Sequence, residues 1–289
     1  MVYSHNEWSP LKQCIVGTTT NMYWFNDNKP VDKRVVEYSN KCLDKFARLL
    51  TDFGVEVLRP IDIDYISKKG FGAYSVRDVT LIIGDKVIFT PTQHICRRLE
   101  WDAVKPLLEG SDFIYPPEDS TVMFDAANVI KCNYDILYQV SESGNKEGGK
   151  WLQQTLGNDY TVHFLEGVYN GYHLDTTILP LREGLVMLNS HRVKESMIPD
   201  FLRSWDKIWI EADDLEETPT TYPQNGSKWM GMNVFSFDGN NVIMSGRHKK
   251  IHNKLKQFNI EVHPCELPLS FYLMGGHHCT TLDTIRLET

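Results

Sequence analysis

What the 289-residue chain lacks narrows it first. No apolar run approaches the ~20 residues that span a bilayer. The opening MVYSHNEWSP has no basic segment followed by an apolar one, so neither a membrane protein nor a secretory leader is expected. Basic excess is missing too: 30 Lys and Arg stand against 38 Asp and Glu, a net charge of −8. That disfavours nucleic acid or an acidic membrane surface as partner, because phosphate and lipid headgroups find no basic stripe to bind. The six cysteines (Cys14, Cys42, Cys96, Cys132, Cys265 and Cys279) form no CxxC pair. Free thiols in a reducing, cytoplasmic compartment are therefore expected. What is present is ordinary: 42% hydrophobic and 24% charged residues, enough to bury a core over a single domain of residues 1–289.

One phrase occurs twice. GYHLDTTIL from Gly171 is echoed by GGHHCTTLD from Gly275, with Cys279 where Asp175 stood. Searching for the period extends the echo along the chain. A polar residue opens a short apolar strand, a turn leads to a second strand, and a helix and a third strand follow. Such units begin at RDVTLIIGDKVIFTP, FDAANVIKCNYDILYQV, HLDTTILPLREGLVMLN and MNVFSFDGNNVIMSG. Their helices are expected in RRLEWDAVKPLLE, GGKWLQQTLG, KESMIPDFLRSW and HKKIHNKLKQFN. A fifth unit is split: HCTTLDTIRLE supplies its first strand, and PLKQCIVGTTT, NKCLDKFARLLTDFG and VEVLRP supply the rest. The expected fold is α/β, a pseudo-fivefold ring of ββαβ units closed by pairing of the N- and C-terminal segments.

The residues opening the units are Asp78, Asp125, Asp175, Asn233 and Cys279, spaced by about 47, 50, 58 and 46 residues. In a ring they converge. A thiol among carboxylates is a poor nucleophile until a cation arrives, since negative neighbours disfavour thiolate. A guanidinium satisfies the carboxylates with its planar fork of N–H donors and supports the thiolate that attacks its central carbon. If residues 173–175 are extended, His173 shares a face with Asp175 and can act as acid and base, oriented by Asp125. A zinc site at His277, His278 and Cys279 is not expected, because strand alternation leaves at most His277 and Cys279 on one face and no second ligand pair completes a tetrahedron. The acidic EADDLEE from Glu211 reads as solvated surface.

These motifs resemble the amidinotransferases, and L-arginine:glycine amidinotransferase in particular, within the guanidino-group-modifying superfamily that includes arginine deiminases. The likeness runs from YSHNEWSPLKQCIVG through RDVTLIIGDKVI, FDAANVIKCNYDI, HLDTTI and SKWMGMNV to GGHHCTTLDTIR. It implies the fivefold ring, no cofactor, no metal, and small-molecule partners: L-arginine and an amine acceptor, glycine favoured. A homodimer is compatible with it. Cys279 is implied as the nucleophile that carries the amidino group covalently, and His173 as the proton donor to the leaving amine, paired with Asp125. Asp78 and Asp175 grip the guanidinium. Arg192 takes the substrate α-carboxylate, and Ser227 and Asn170 contact the amino-acid end. The family pattern has glycine where Met274 stands, methionine at Tyr172, a serine pair at Gly226-Ser227 and an apolar residue at His277. Met274, Tyr172 and Gly226 put the acceptor in question. Two alternatives stay open: an arginine hydrolase resolving the intermediate with water, and a non-catalytic binding protein of the same ring fold.

Overall fold

Strands buried on both faces read as largely apolar runs. Here Thr80–Ile83, Val129–Cys132 and Leu185–Asn189 are buried at every position. The structure, a computed structural model, describes residues 1–24, 27–118, 120–216 and 222–287. Their strands form five three-stranded sheets of one pattern, together with a short ribbon of Tyr23–Trp24 and Lys29–Pro30. In each sheet the middle strand pairs antiparallel with one neighbour and parallel with the other. One sheet joins Thr80–Ile83, Lys86–Phe89 and Asp112–Ile114. Another joins Val129–Cys132, Asp135–Val140 and Thr161–Glu166. Two more comprise Ile178–Arg182, Leu185–Asn189 and Asp206–Ile210, and Phe235–Ser236, Asn241–Met244 and Glu261–Pro264. The last is the split unit: Thr281–Arg286 lies antiparallel to Leu11–Val16, which pairs parallel with Glu56–Leu58. The two ends of the chain are thus sewn into one sheet. No sheet among the described residues closes on itself.

A parallel pair needs a crossover, and helices supply most of them. Lys33–Asp52 buries Val35, Cys42, Leu43, Phe46 and Leu50 at helical spacing, and the Asp32 carboxylate accepts from the Arg34 N–H at its start. Lys146–Leu156 and Lys249–Gln257 do the same for two other sheets. In the Thr80 sheet the helix shrinks to Leu99–Val104 between 3-10 turns. The helix expected in KESMIPDFLRSW does not form. Two 3-10 turns, Glu195–Met197 and Asp200–Leu202, replace it. Pro199 is the reason: it removes a backbone donor and pushes Ile198 into the extended region, φ −74° and ψ 126°.

In the acidic stretch from Glu211, Glu211, Asp213 and Glu216 are exposed as expected, and Asp214 departs from expectation. Asp214 is buried, accepts from the Glu211 N–H at 2.7 Å and pairs with Lys254. It closes a capping box and is not solvated surface. Glu217, the last residue of that stretch, lies outside the described residues.

Candidate active site

The five unit-opening residues lie in turns ahead of their strands, not in the strands themselves. Backbone and side-chain bonds join these turns. Ala126 donates to the Asp78 carbonyl at 2.6 Å, and Leu174 to Ala127 at 2.9 Å. Asp175 accepts from Asn233 Nδ2 at 2.7 Å. His278 donates to the Asn233 carbonyl at 3.4 Å, and Arg77 to the Cys279 carbonyl at 3.3 Å. Followed in this order, the bonds return to the turn they left.

Cys279 lies on this circuit, 3% exposed. Its S–H donates to Asp175 Oδ2 at 3.2 Å, and Asn233 Nδ2 is 3.1 Å from the sulfur. The Cys279 N–H is held by Asn233 Oδ1 at 3.0 Å. Burial, then the charges of Asp175 and Asp78, push the thiol well above its usual range, so the resting group is S–H. Gly275 and Gly276 make this packing possible. A Cβ on Gly276 would lie 2.7 Å from Asn233 Oδ1, and one on Gly275 would lie 2.5 Å from Ser75 Oγ.

His173 has φ 64°, in the left-handed region, so the shared strand face expected for His173 and Asp175 is not what aims it. The turn brings Nε2 to 3.1 Å from Asp125 Oδ2 and Nδ1 to 3.7 Å from Asp78 Oδ1. Burial would lower the imidazole, but Asp78 and Asp125 outweigh it and raise His173 to about 9. Asp125 itself is resisted by burial yet held below its usual value by the His173 bond and charge.

The two remaining carboxylates share one design. Asp78 Oδ2 accepts from Arg97 Nη1 at 2.8 Å, while Oδ1 has no hydrogen-bond partner. Every hydrogen bond made to the Asp175 side chain among the described residues falls on Oδ2. Burial would raise Asp175, but the His278 bond, with His173 and Cys279, brings it down to about 2. Each carboxylate therefore holds one oxygen fixed and presents the other.

Arg192 stacks its guanidinium 3.6 Å above the Tyr169 ring and donates to Thr176, Thr177 and Ser227 Oγ. No carboxylate among the described residues pairs with it. Ser227 is thus tied to Arg192. Tyr172 is 45% exposed and accepts from Gln93. Asn170 is exposed, and its carbonyl accepts from the Glu142 N–H; the structure does not bring its side chain to the Cys279 cluster. Gly226 and Met274 pack together, 3.5 Å from a Cβ on Gly226 to Met274 Cα. Met274 has φ 60°, a conformation that glycine adopts at less cost.

Sequence reasoning missed His278, Arg97 and Glu100, and placed Asn233 at the convergence without giving it a role. His278 was set aside by strand alternation, but residues 277–280 form a turn. His277 points away into the core, against Phe46 and the Cys265 carbonyl. Arg97 is held bidentately by Glu100, which burial chiefly raises to about 7 against Arg97's charge. A spacing of three between Arg97 and Glu100 was the available signal. No group of His, Cys, Asp and Glu among the described residues is arranged to hold a metal ion.

No protein-family model matches the chain. It is 34% identical to inosamine-phosphate amidinotransferase 1 of Streptomyces griseus, over 99% of this chain and 97% of that protein. This chain belongs to the amidinotransferase family. Two further relatives share less of the sequence. The L-arginine:L-lysine amidinotransferase of Pseudomonas savastanoi pv. phaseolicola is 29% identical, over 99% and 94% of the two chains. The mitochondrial glycine amidinotransferase of Xenopus laevis is 26% identical, over 100% and 83%. Among solved amidinotransferase structures, the Streptomyces griseus inosamine-phosphate enzyme superposes with TM-score 0.88 at 33% identity, over 100% and 98%. An amidinotransferase of the saxitoxin biosynthetic pathway of Microseira wollei gives 0.91 at 27%, over the same shares.

Proposed function

We propose that this amidinotransferase moves the amidino group of L-arginine through a covalent bond to Cys279 and then to an amine acceptor. The observation that carries the reading is a thiol bonded to Asp175 and under the charge of Asp78, two carboxylates that each keep one oxygen free of hydrogen bonds among the described residues, with His173 3.7 Å from Asp78. The substrate guanidinium bridges Asp78 Oδ1 and Asp175 Oδ1, and Arg192 takes its α-carboxylate as a planar fork. The arriving cation offsets the acidic surroundings and lets Cys279 lose its proton to solvent, from which the sulfur regains one once the C–S bond has broken and the product has left. The thiolate attacks the guanidino carbon. His173, held through Nε2 by Asp125, donates its Nδ1 proton to the departing nitrogen as the C–N bond breaks, releasing ornithine. The acceptor amine then attacks the S-bound amidino carbon. His173 takes its proton, the C–S bond breaks and a guanidino compound leaves, guanidinoacetate when the acceptor is glycine.

The five like sheets and the returning circuit of turn bonds support a pseudo-fivefold ring over a single domain of residues 1–289. Six free thiols and the absence, among the described residues, of any helix long and apolar enough to cross a membrane support a cytoplasmic enzyme of small molecules. Glycine is the acceptor the motifs favour. The relatives named for inosamine phosphates and lysine make those amines the next to test.

Ornithine release from arginine, measured with glycine, lysine, inosamine phosphates, β-alanine and no amine, tests the proposal. Ornithine that depends on an added amine, with an arginine-derived adduct on Cys279 by denaturing mass spectrometry, is the expected result. Cys279→Ala should lose about 10⁴-fold or more of turnover. Full turnover in that variant, or citrulline or ammonia released without an amine, sinks it.

A further inference from the structure

Resting on the reading above, the structure points to a positioning residue beside the nucleophile. His278 is 2% exposed, and its ring touches the site through Asp175 alone. Its Nδ1 lies 3.1 Å from Asp175 Oδ2, and its Nε2 lies 3.3 Å from Glu7 Oε2. Its carbonyl accepts from Arg77 Nε at 2.9 Å, so backbone and ring are both fixed.

Rotation about the last bond of an aspartate is soft, and its plane is set by whatever bonds to the oxygens. Three donors converge on Asp175 Oδ2: Asn233, Cys279 and His278. Cys279 gives up its proton during the reaction. Asn233 is committed to the Cys279 N–H and sulfur as well. His278 is the one donor of the three whose side chain makes no hydrogen bond to the nucleophile. It alone can hold Asp175 in place while the sulfur changes partner. It also matters for charge. Once the thiolate forms, sulfur and Oδ2 face each other across 3.2 Å, and an N–H on that oxygen draws its charge away from the sulfur. Glu7 plays toward His278 the part that an orienting carboxylate plays toward a catalytic imidazole, turning the ring so that Nδ1 meets Asp175.

We propose that His278, oriented by Glu7, is the positioning residue that anchors Asp175 by Oδ2, so that Oδ1 stays aimed at the guanidinium and the neighbouring thiolate is tolerated. The competing role is purely structural: His278 would tie the Cys279 turn to Glu7 and the buried charges around it.

Side-chain amides separate the two. In His278→Asn the amide nitrogen falls near the place of Nδ1 and can still donate to Asp175. In His278→Gln it falls near Nε2 and can reach only Glu7. His278→Leu keeps neither bond. Three quantities are measured on the full-length protein: the thermal midpoint, KM for arginine apart from kcat, and the pH profile of Cys279 alkylation by iodoacetamide without substrate, with the modified thiol located by mass spectrometry. The groups whose charge bears on that profile are Asp175, Asp78, His173, His278 and Tyr74.

The expected result is that His278→Asn stays within about threefold of the parent in KM for arginine, while Gln and Leu raise it by about tenfold or more. In Gln and Leu the alkylation profile also moves to higher pH. The proposal is overturned if Gln matches the parent while Asn does not, if all three lose activity in proportion to the thermal midpoint with an unmoved alkylation profile, or if His278→Asn fails to fold. The alkylation profile needs no turnover. It therefore still decides the role of His278 should Cys279→Ala show that arginine transfer itself is the wrong reading.

Discussion

His173 carries a charge that depends on two acids, and its contribution to folding follows from that. An ordinary imidazole titrates at 6.5, whereas Asp78 and Asp125, working against burial, hold this one at about 9. A group raised in the folded state contributes its full stability below its unfolded value and loses it as pH climbs through the folded one. His173 should therefore stabilise the fold by up to about 3 kcal/mol below pH 6.5, and that advantage should vanish between pH 6.5 and 9. Chemical denaturation of the parent and His173→Asn across this range reads it directly. A gap between them that stays constant with pH would contradict the assignment. The carboxylates and the thiol were legible in the sequence because a repeat fixes phase: equivalent positions in successive units must meet. The histidine at 278 was not, because neighbours along a strand point apart while neighbours in a turn need not. Arg97 was hidden for another reason, since it reaches Asp78 from a crossover helix in which the repeat marks apolar spacing and no polar position.

At the scale of elements, the turns do the work and the strands support them. Strand positions and most helices could be read from apolar runs and their spacing. The loss of one helix to Pro199 could have been read as well, since proline at the centre of an expected helix argues against it. What periodicity could not supply was the path of the turns, where Gly275 and Gly276 give Asn233 and Ser75 room. Gly276→Ala would press a methyl group onto Asn233 and move the amide that holds both the Cys279 N–H and Asp175. A displacement near 1 Å at reacting groups costs about 100-fold in rate. Gly276→Ala should therefore lower kcat/KM by about that factor while costing stability only about 1–3 kcal/mol, as overpacking usually does. Equal kcat/KM in the variant would show that the turn has slack.

The whole molecule is held at its centre by charge. Asp283 accepts from Ser4, Arg77, Lys131 and Arg286, and Glu7 pairs with Arg77 beside it, all of them buried. Removing one member strands the others without compensation. Asp283→Asn should cost about 3–5 kcal/mol in urea unfolding, far more than an exposed ion pair. A loss under about 1 kcal/mol would mean that water or another acid replaces it. Burial would raise Glu7, but Lys131 and Arg77 hold it at about 2, so its contribution is present above its usual 4.5 and is lost as acid approaches pH 2. None of this network was visible as a network, since its members come from both ends of the chain and from two units between. That same stitching orders events in time. Thr281–Arg286 pairs with Leu11–Val16, and the Cys279 turn lies directly ahead of it. A ribosome must therefore deliver the closing strand before the strand near the start of the chain, already able to pair with Glu56–Leu58, has its second partner, and the thiol enters its acidic pocket only then. The nascent chain carries an ordinary thiol without the acids that would hold a guanidinium, and activity should appear late in refolding, together with the protection of the Leu11–Val16 amides from hydrogen exchange.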